Sequence, residues 1–348
     1  AKTVKYGVIG CGAIAQRRHI PEGAANPRST IAAVVDPLEK RAKEVAEQYG
    51  AEAYTDYKRM LKEADIDAAV VCGPNALHAK QTIDALRAGK HVLVEKPMAT
   101  SRTDAKKMVD EAKKARKYLM IGLNQRLMAA HVAAKKLLTK CPIGNVIAFR
   151  TTFKHPGPDG WSLDGARSWF FDPDAAFMGV TGDLGVHKAD LMRWMLDDEF
   201  VEVGGVITTL DKKDSKGKLI GLDDNARLQL KSKKGVVGSI EVSWTNYGAE
   251  ENDTKLYCSN GVMQIGADPT YGVIIDYHDG SRELHQVGAM ATNEVQVSSG
   301  IIDAMTEAIR RKKKPEIYGV EGYRCLNVIL TAMDAAKQGK TLKIDNKV

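Results

Sequence analysis

Lys96, within Glu95-Lys96-Pro97, and the pair Asp183 and His187, four residues apart, have types and spacing suited to proton chemistry on a small polar molecule. A lysine at the end of an apolar strand and just before a proline sits at a sheet's carboxyl edge. Held near a cofactor there, its ammonium can hold a substrate hydroxyl and stabilise the developing alkoxide. Residues i and i+4 at the start of a helix share one face. Histidine titrates near neutrality, which suits taking a hydroxyl proton as a hydride leaves the same carbon. Two other readings of Asp183 and His187 stand beside this one. They could be half of a metal site, with Asp190 or His155 as a third ligand, or His187 could be an ordinary packed residue. No metal is expected.

A third group gives the hydride a destination. Tyr6-Gly7-Val8-Ile9-Gly10-Cys11-Gly12-Ala13-Ile14-Ala15 joins an apolar run to a glycine turn and then to a helical pattern. Gly10 permits the tight turn, Gly12 lets backbone amides approach a pyrophosphate, and Ala15 lets the helix pack close to the strand. The helix N-terminus, around Ala13 and Ile14, offers free N–H groups and partial positive charge to phosphates. Asp36 ends the next strand, where a carboxylate accepts hydrogen bonds from ribose hydroxyls and repels a 2′-phosphate. NAD is therefore favoured over NADP, with Lys40 and Arg41 leaving some NADP tolerance; the alternative for Asp36 is a turn former before Pro37. Cys72-Gly73-Pro74-Asn75 closes the third strand at the cofactor edge, where Asn75 suits helix capping, ribose contact or both. His78 falls on the first turn of that helix, at the same edge or as a structural residue, and Glu95 borders the site beside Lys96.

The elements that must position these groups alternate, in the first third, between short apolar strands and amphipathic helices. That is the pattern of a doubly wound parallel sheet. Strands are predicted at 4–9, 31–35, 68–72, 91–94 and 119–122. Helices are predicted at 37–49, with Ala42, Val45 and Ala46 inward, and at 76–88, with Ala79, Ile83 and Leu86 inward. After Gly122 the rhythm changes to a helix at 129–138, a strand at 146–153 and a long loop from His155 to Phe177. Its four aromatics, Trp161, Trp169, Phe170 and Phe171, argue for order. A helix at 182–196 precedes strands at 202–209, 225–231, 236–244, 255–258, 262–265 and 273–277, whose short turns imply an antiparallel sheet. Helices at 300–313 and 320–338 close the chain. The expected division is an α/β Rossmann domain over residues 1–123 and an α+β substrate-binding and oligomerisation domain over 124–348, with a large, mainly antiparallel open sheet.

Composition agrees with a two-domain globular chain: 348 residues, 44% apolar, 27% charged and a net charge of +7. The run Arg310-Arg311-Lys312-Lys313-Lys314 reads as a basic last turn facing a helix C-terminus, and no nucleic-acid partner is expected. Five scattered cysteines without a Cys-x-x-Cys pair point to a reducing compartment. No apolar run approaches the roughly 20 residues of a membrane helix, so the cytoplasm is expected.

The glycine turn with Asp36, the run Gly73-Pro74-Asn75, the block from Ala88-Gly89-Lys90-His91-Val92 to Glu95-Lys96-Pro97, and Gly182-Asp183-Leu184-Gly185-Val186-His187 together resemble the Gfo/Idh/MocA family of glucose-fructose oxidoreductase and inositol dehydrogenase relatives. The resemblance spans essentially the whole chain. One departure stands at Gly73, where the family usually has threonine. The resemblance implies an NAD-dependent dehydrogenase of a sugar or cyclitol. Lys96 would hold the reacting hydroxyl, His187 would be the acid/base, and Asp183 would bind a neighbouring hydroxyl or orient the site. Arg126 and His155 would reach the substrate. Two alternatives are redox-neutral, NAD-dependent glycoside cleavage and a dinucleotide-sensing regulator. An exposed sheet face would make the protein a homodimer or homotetramer.

Overall fold

A computed structural model describes residues 3–288 and 298–348. Six strands form the first sheet: β1 (Val4–Ile9), β2 (Ser29–Val35), β3 (Glu52–Tyr54), β4 (Ala68–Val71), β5 (His91–Val94) and β6 (Leu119–Ile121). All pairs are parallel, in the order β3-β2-β1-β4-β5-β6. Every residue of β4 is buried, as a strand covered by helices on both faces requires. The order reverses between β1 and β4, where a crevice opens beyond the strands' carboxyl ends. β3, which the sequence pattern misses, is short and half exposed, and lacks an apolar run.

The helix Glu39–Tyr49 buries Ala42, Val45 and Ala46, as expected. The helix Asn75–Arg87 differs: Asn75, His78, Gln81, Thr82, Ala85 and Leu86 are buried, while Ala79 and Ile83 pack only at the core's margin. Its polar first turn faces the cleft, which rotates the buried face away from the apolar stripe.

The second sheet comprises β7 (Val146–Lys154), β8 (Phe200–Thr208), β9 (Asn225–Ser232), β10 (Val237–Ser243), β11 (Thr254–Cys258), β12 (Gly261–Ile265), β13 (Val273–Tyr277), β14 (Arg282–His285) and β15 (Leu342–Lys343). Their order is β14-β13-β12-β11-β7-β10-β9-β8-β15. Pairing is antiparallel except between β7 and β10, which run parallel. A parallel pair needs a crossover, and the 155–177 segment with the helix Val186–Leu196 begins it. The sheet's outer face alternates Arg227, Gln229, Lys231 and Lys255 with an apolar strip of Tyr257, Val262, Ile274 and Leu284 toward β14. It is mixed rather than uniformly apolar.

The helices Ile301–Arg311 and Gly319–Gln338 return to the first sheet. Tyr6 Oη and Thr306 Oγ1 lie 2.8 Å apart in the core, and Arg102 Nε donates to Asn327 Oδ1 at 2.6 Å. The five cysteines are unpaired. Among the described residues, no helix is long and apolar enough to cross a membrane.

Candidate active site

Gly10 follows β1 at φ +94°, and a Cβ there would meet the carbonyl group of Cys72 at 3.1 Å. Only glycine combines that backbone angle with that approach. Above Gly12 nothing lies within 4 Å of where a Cβ would point, so the turn leaves room for a phosphate against backbone. Asp36 is buried at the end of β2. Its Oδ2 accepts from Cys11 N at 3.0 Å and its Oδ1 from Leu38 N at 2.9 Å, which pins the carboxylate to the glycine turn. Arg41 stands 3.8 Å from it. Two adjoining cavities share Gly12, Arg41, Cys72, Gly73 and Trp169. One, of about 1050 Å³, holds Gly10, Asp36 and Pro74. The other, of about 1080 Å³, holds Ala13, Ile14, Lys96, Asp183 and His187. The open glycine cradle, the pinned carboxylate and the long double cavity fit a dinucleotide laid across the switch point.

The wall between the cavities carries the other predicted edge residues. Asn75 caps nothing with its side chain; its Nδ2 donates to Ala176 O at 2.9 Å and fastens the long loop to the cleft. The ring nitrogens of His78 lie 2.8 Å from Pro97 O and Gly73 O, so the ring braces two turns of the cofactor edge. Burial, then the nearby Glu95 charge, pushes the Cys72 thiol well up. Glu95 Oε1 meets His19 Nε2 at 2.7 Å. Burial raises the Glu95 pKa, but the His19 hydrogen bond and the charges of His19, Lys96 and Arg18 outweigh it and hold the carboxylate well below its usual range.

Lys96 Nζ donates to Asp183 Oδ1 at 2.7 Å and to Asp183 O at 3.0 Å. Trp244 Nε1 donates to Asp183 Oδ2 at 2.9 Å. Burial opposes ionisation of Asp183, yet Lys96, His155 and these hydrogen bonds win and lower its pKa. His155 accepts Gly157 N–H on Nδ1 at 2.9 Å, which places the ring proton on Nε2, 3.8 Å from Asp183 Oδ2. His187 is buried, and its Nδ1 has no hydrogen-bond partner. Burial first, and Lys96 second, hold its pKa well below 6.5, so the ring is neutral at physiological pH. Asp183 lies in a π-helical turn, Thr181–Gly185, that continues as Val186–Leu196. A second π turn, Ala15–His19, follows the glycine turn. Such wide turns recur at functional sites, and here both border the cleft.

Arg126 departs from its expected place. It is buried in a bidentate pair with Asp190 and a 2.8 Å contact with Glu321, and it does not line the cleft. Asp190 is thereby withdrawn from Asp183 and His187. Among the described residues, no three His, Cys, Asp or Glu side chains are grouped to hold a metal. The loop 155–177 forms one wall through Trp161, Leu163, Trp169 and Phe170. Trp169 stacks on Phe170 at 4.0 Å, and Phe170 and Phe171 meet Trp244 edge-on. Sequence reasoning missed Trp244, His19, Arg18, Asn124, Gln125 and Glu250; only the positions of Asn124 and Gln125, just after β6, carried a signal.

Residues 4–123 match a family model described as an oxidoreductase family with an NAD-binding Rossmann fold. Residues 131–264 match the GFO/IDH/MocA C-terminal domain. The 1,5-anhydro-D-fructose reductase of Ensifer adhaerens is 27% identical over 98% of both chains. The myo-inositol 2-dehydrogenase of Thermotoga maritima is 29% identical over 99% of this chain and all of its own. The aldose-aldose oxidoreductase of Caulobacter crescentus, solved with glycerol, superposes with a TM-score of 0.84 at 26% identity over 99% of this chain and 100% of that one.

Proposed function

This chain belongs to the Gfo/Idh/MocA family of NAD-dependent oxidoreductases acting on CH–OH groups, and from that premise we propose that it interconverts a secondary hydroxyl and a ketone, or lactone, on a sugar or cyclitol. The observation that carries the reading is the Lys96–Asp183 contact beside a neutral, unpartnered His187 in one cleft with the glycine turn. When bound, NAD supplies the hydride acceptor. Lys96 would donate to the reacting hydroxyl and favour its alkoxide. Asp183, ionised and fixed by Trp244, aims that ammonium and offers an acceptor to a neighbouring hydroxyl. His187, neutral before reaction and lining the cavity beside Lys96, would take the hydroxyl proton and return it in the reverse direction. His155 adds an N–H on the same side as Asp183. The relatives named for anhydrofructose and inositol support a polyhydroxylated ring as substrate, and the aromatic wall of Trp161, Trp169 and Phe170 suits the apolar face of such a ring.

The proposed setting is cytoplasmic, supported by the unpaired cysteines. The proposed assembly is a homodimer or homotetramer through the outer face of the second sheet, supported by the strip Tyr257, Val262, Ile274 and Leu284. The test of function is NADH formation by the purified protein against inositols, aldoses, anhydrosugars and glycosides, with NAD and NADP in parallel. Turnover of a polyol with NAD is expected. Release of an aglycone without NADH accumulation, or cofactor binding with no turnover at all, would replace this reading with redox-neutral cleavage or sensing.

A further inference from the structure

The basic run that closes the helix Ile301–Arg311 reaches a separate cavity, away from the cleft. Lys312 caps that helix at φ 52°. Lys314, two residues on, lies over the Tyr318 ring with Nζ 3.6 Å from its centre. There it lines a cavity of about 960 Å³ together with Lys113, Arg116 and Lys117, from the last turn of the helix Arg102–Ala115 and the two residues after it. No aspartate or glutamate lines this cavity, and among the described residues none of the four cations stands in an ion pair. Complementing a helix dipole falls off within the last turn and accounts for Lys113 alone. Four like charges brought to one concavity without a counter-charge repel one another, and a bound anion reverses that cost.

The floor of the cavity is apolar, built by Val109, Leu119 and Pro315. Tyr118 is fixed at its side: its backbone N–H donates to His91 Nδ1 at 3.0 Å, and the two ring centres are 5.0 Å apart. Two half-buried phenol rings, Tyr118 and Tyr318, thus stand beside the cations. The helix Gly319–Gln338 opens on the same cavity without a side-chain cap, and its end adds to the positive field that the four side chains set up. The cavity sits where β6 begins and shares no residue with the two cavities beyond the strands' carboxyl ends.

We propose that Lys113, Arg116, Lys117 and Lys314 form a second ligand site, separate from the dinucleotide cleft, that takes a small polyphosphate anion, inorganic or as the phosphate chain of a nucleotide. Arg116 offers the planar fork that pairs a phosphate through two hydrogen bonds, and the three lysines add point charges. The tyrosine rings give an aromatic base a surface to lie on. A walled cavity with an apolar floor encloses a compact anion and leaves no track for an extended strand.

The test is calorimetric titration of the full-length protein with sodium tripolyphosphate, adenosine triphosphate and adenosine, each with and without saturating NAD. Tripolyphosphate should fill one saturable site whether or not NAD is present. Arg116→Gln and Lys314→Gln should each weaken it by about tenfold or more, the effect of one lost charge-assisted hydrogen bond. Both variants remove unpaired cations, so their thermal midpoints should not fall, which separates loss of the site from loss of the fold. The double variant Lys136→Gln with Lys140→Gln takes the same charge from the exposed side of the helix Ala129–Lys140, outside all three cavities, and should bind as wild type does. Tighter binding of adenosine triphosphate than of tripolyphosphate identifies a nucleotide as the ligand; equal binding identifies the phosphate chain alone. The site is overturned by any of four results: no saturable binding, binding abolished by NAD, adenosine binding as tightly as its triphosphate, or equal weakening in the Lys136 and Lys140 control. Tighter binding of a single-stranded oligothymidylate than of tripolyphosphate makes the region a nucleic-acid surface and likewise overturns the small-anion site.

Discussion

Trp244 Nε1 donates to Asp183 Oδ2 at 2.9 Å while Lys96 Nζ holds Asp183 Oδ1 at 2.7 Å, so one carboxylate is gripped by the ends of two different sheets. Lys96 follows β5 of the first sheet and Trp244 follows β10 of the second. The aspartate is a point at which the ends of both sheets set the lysine's direction. Replacing Trp244 by phenylalanine keeps an aromatic ring near Phe170 and Phe171 but removes the donor together with part of a fully buried indole. A hydrogen bond to a charged group contributes about 1.5–3 kcal/mol, so kcat should fall by about tenfold to a hundredfold, alongside a loss of thermal stability from the vacated core space. Steady-state kinetics on whichever polyol scores in the NADH assay gives the answer, and an unchanged kcat would remove Trp244 from the machinery.

Lys96→Ala and His187→Ala should each lower kcat by about a hundredfold or more, the usual effect of losing an electrostatic or acid/base group. NAD affinity should survive, since the glycine turn and Asp36 are untouched. Single-turnover kinetics with cofactor saturating distinguishes the loss of chemistry from the loss of binding, and near-normal turnover in either variant reassigns that residue.

The buried His187 gives a pH signature. Its pKa is held well below 6.5, by burial and then by Lys96. A base of that kind is already deprotonated across the neutral range, so kcat/KM for oxidation should stay level as pH falls through 6.5 and decline only further into acid. Removing the cation with Lys96→Met should move the His187 inflection upward, measured by NMR titration of the ring Hε1 resonance. An inflection at 6.5 in the wild type would mean that the ring is not shielded as described.

Arg126 should matter to stability rather than to substrate affinity. Its guanidinium offsets two buried or part-buried carboxylates, Asp190 and Glu321. Desolvation raises the Asp190 pKa against the opposing pull of Arg126, so loss of the arginine leaves the buried Asp190 with only the more distant Arg193, at 3.9 Å, as a cation. Arg126→Leu should cost about 3–5 kcal/mol in urea unfolding. The double change to Leu at both Arg126 and Asp190 should recover part of that loss. A raised KM with normal stability would return Arg126 to the substrate pocket.

Strands such as β1, β5 and β13 are legible to the residue because each is a short apolar run with an abrupt polar or glycine boundary. β3 and β14 have no such run; Arg282–His285 alternates charge with a single leucine. The glycine turn, Asp36, Lys96, Asp183 and His187 are legible because local spacing on one strand end or one helix turn suffices to bring each to a common edge. Arg126 and Trp244 are not, because their partners lie 64 and 61 residues away in sequence. The π turns are equally hidden: one extra residue per turn leaves the composition unchanged and alters only which side chains face the cleft.

His131 links the core behind the site to pH-dependent stability. It is fully buried, and burial, followed by the charge of Lys188, drives its pKa down to about 3. In the unfolded chain the ring titrates near 6.5. Below that pH the unfolded state binds the proton and the folded state does not, so stability falls as pH drops from about 6.5 toward 3 and is fully present above 6.5. Between pH 8 and pH 5 the loss from this one ring is about 2 kcal/mol by that linkage. His131→Phe, which fills the same space with a group that does not titrate, should flatten the profile by that amount while giving up the contact to Gln125 O. Urea midpoints at pH 8 and pH 5 for wild type and variant give the difference directly, and parallel slopes for the two proteins would show that His131 is protonated inside the folded core.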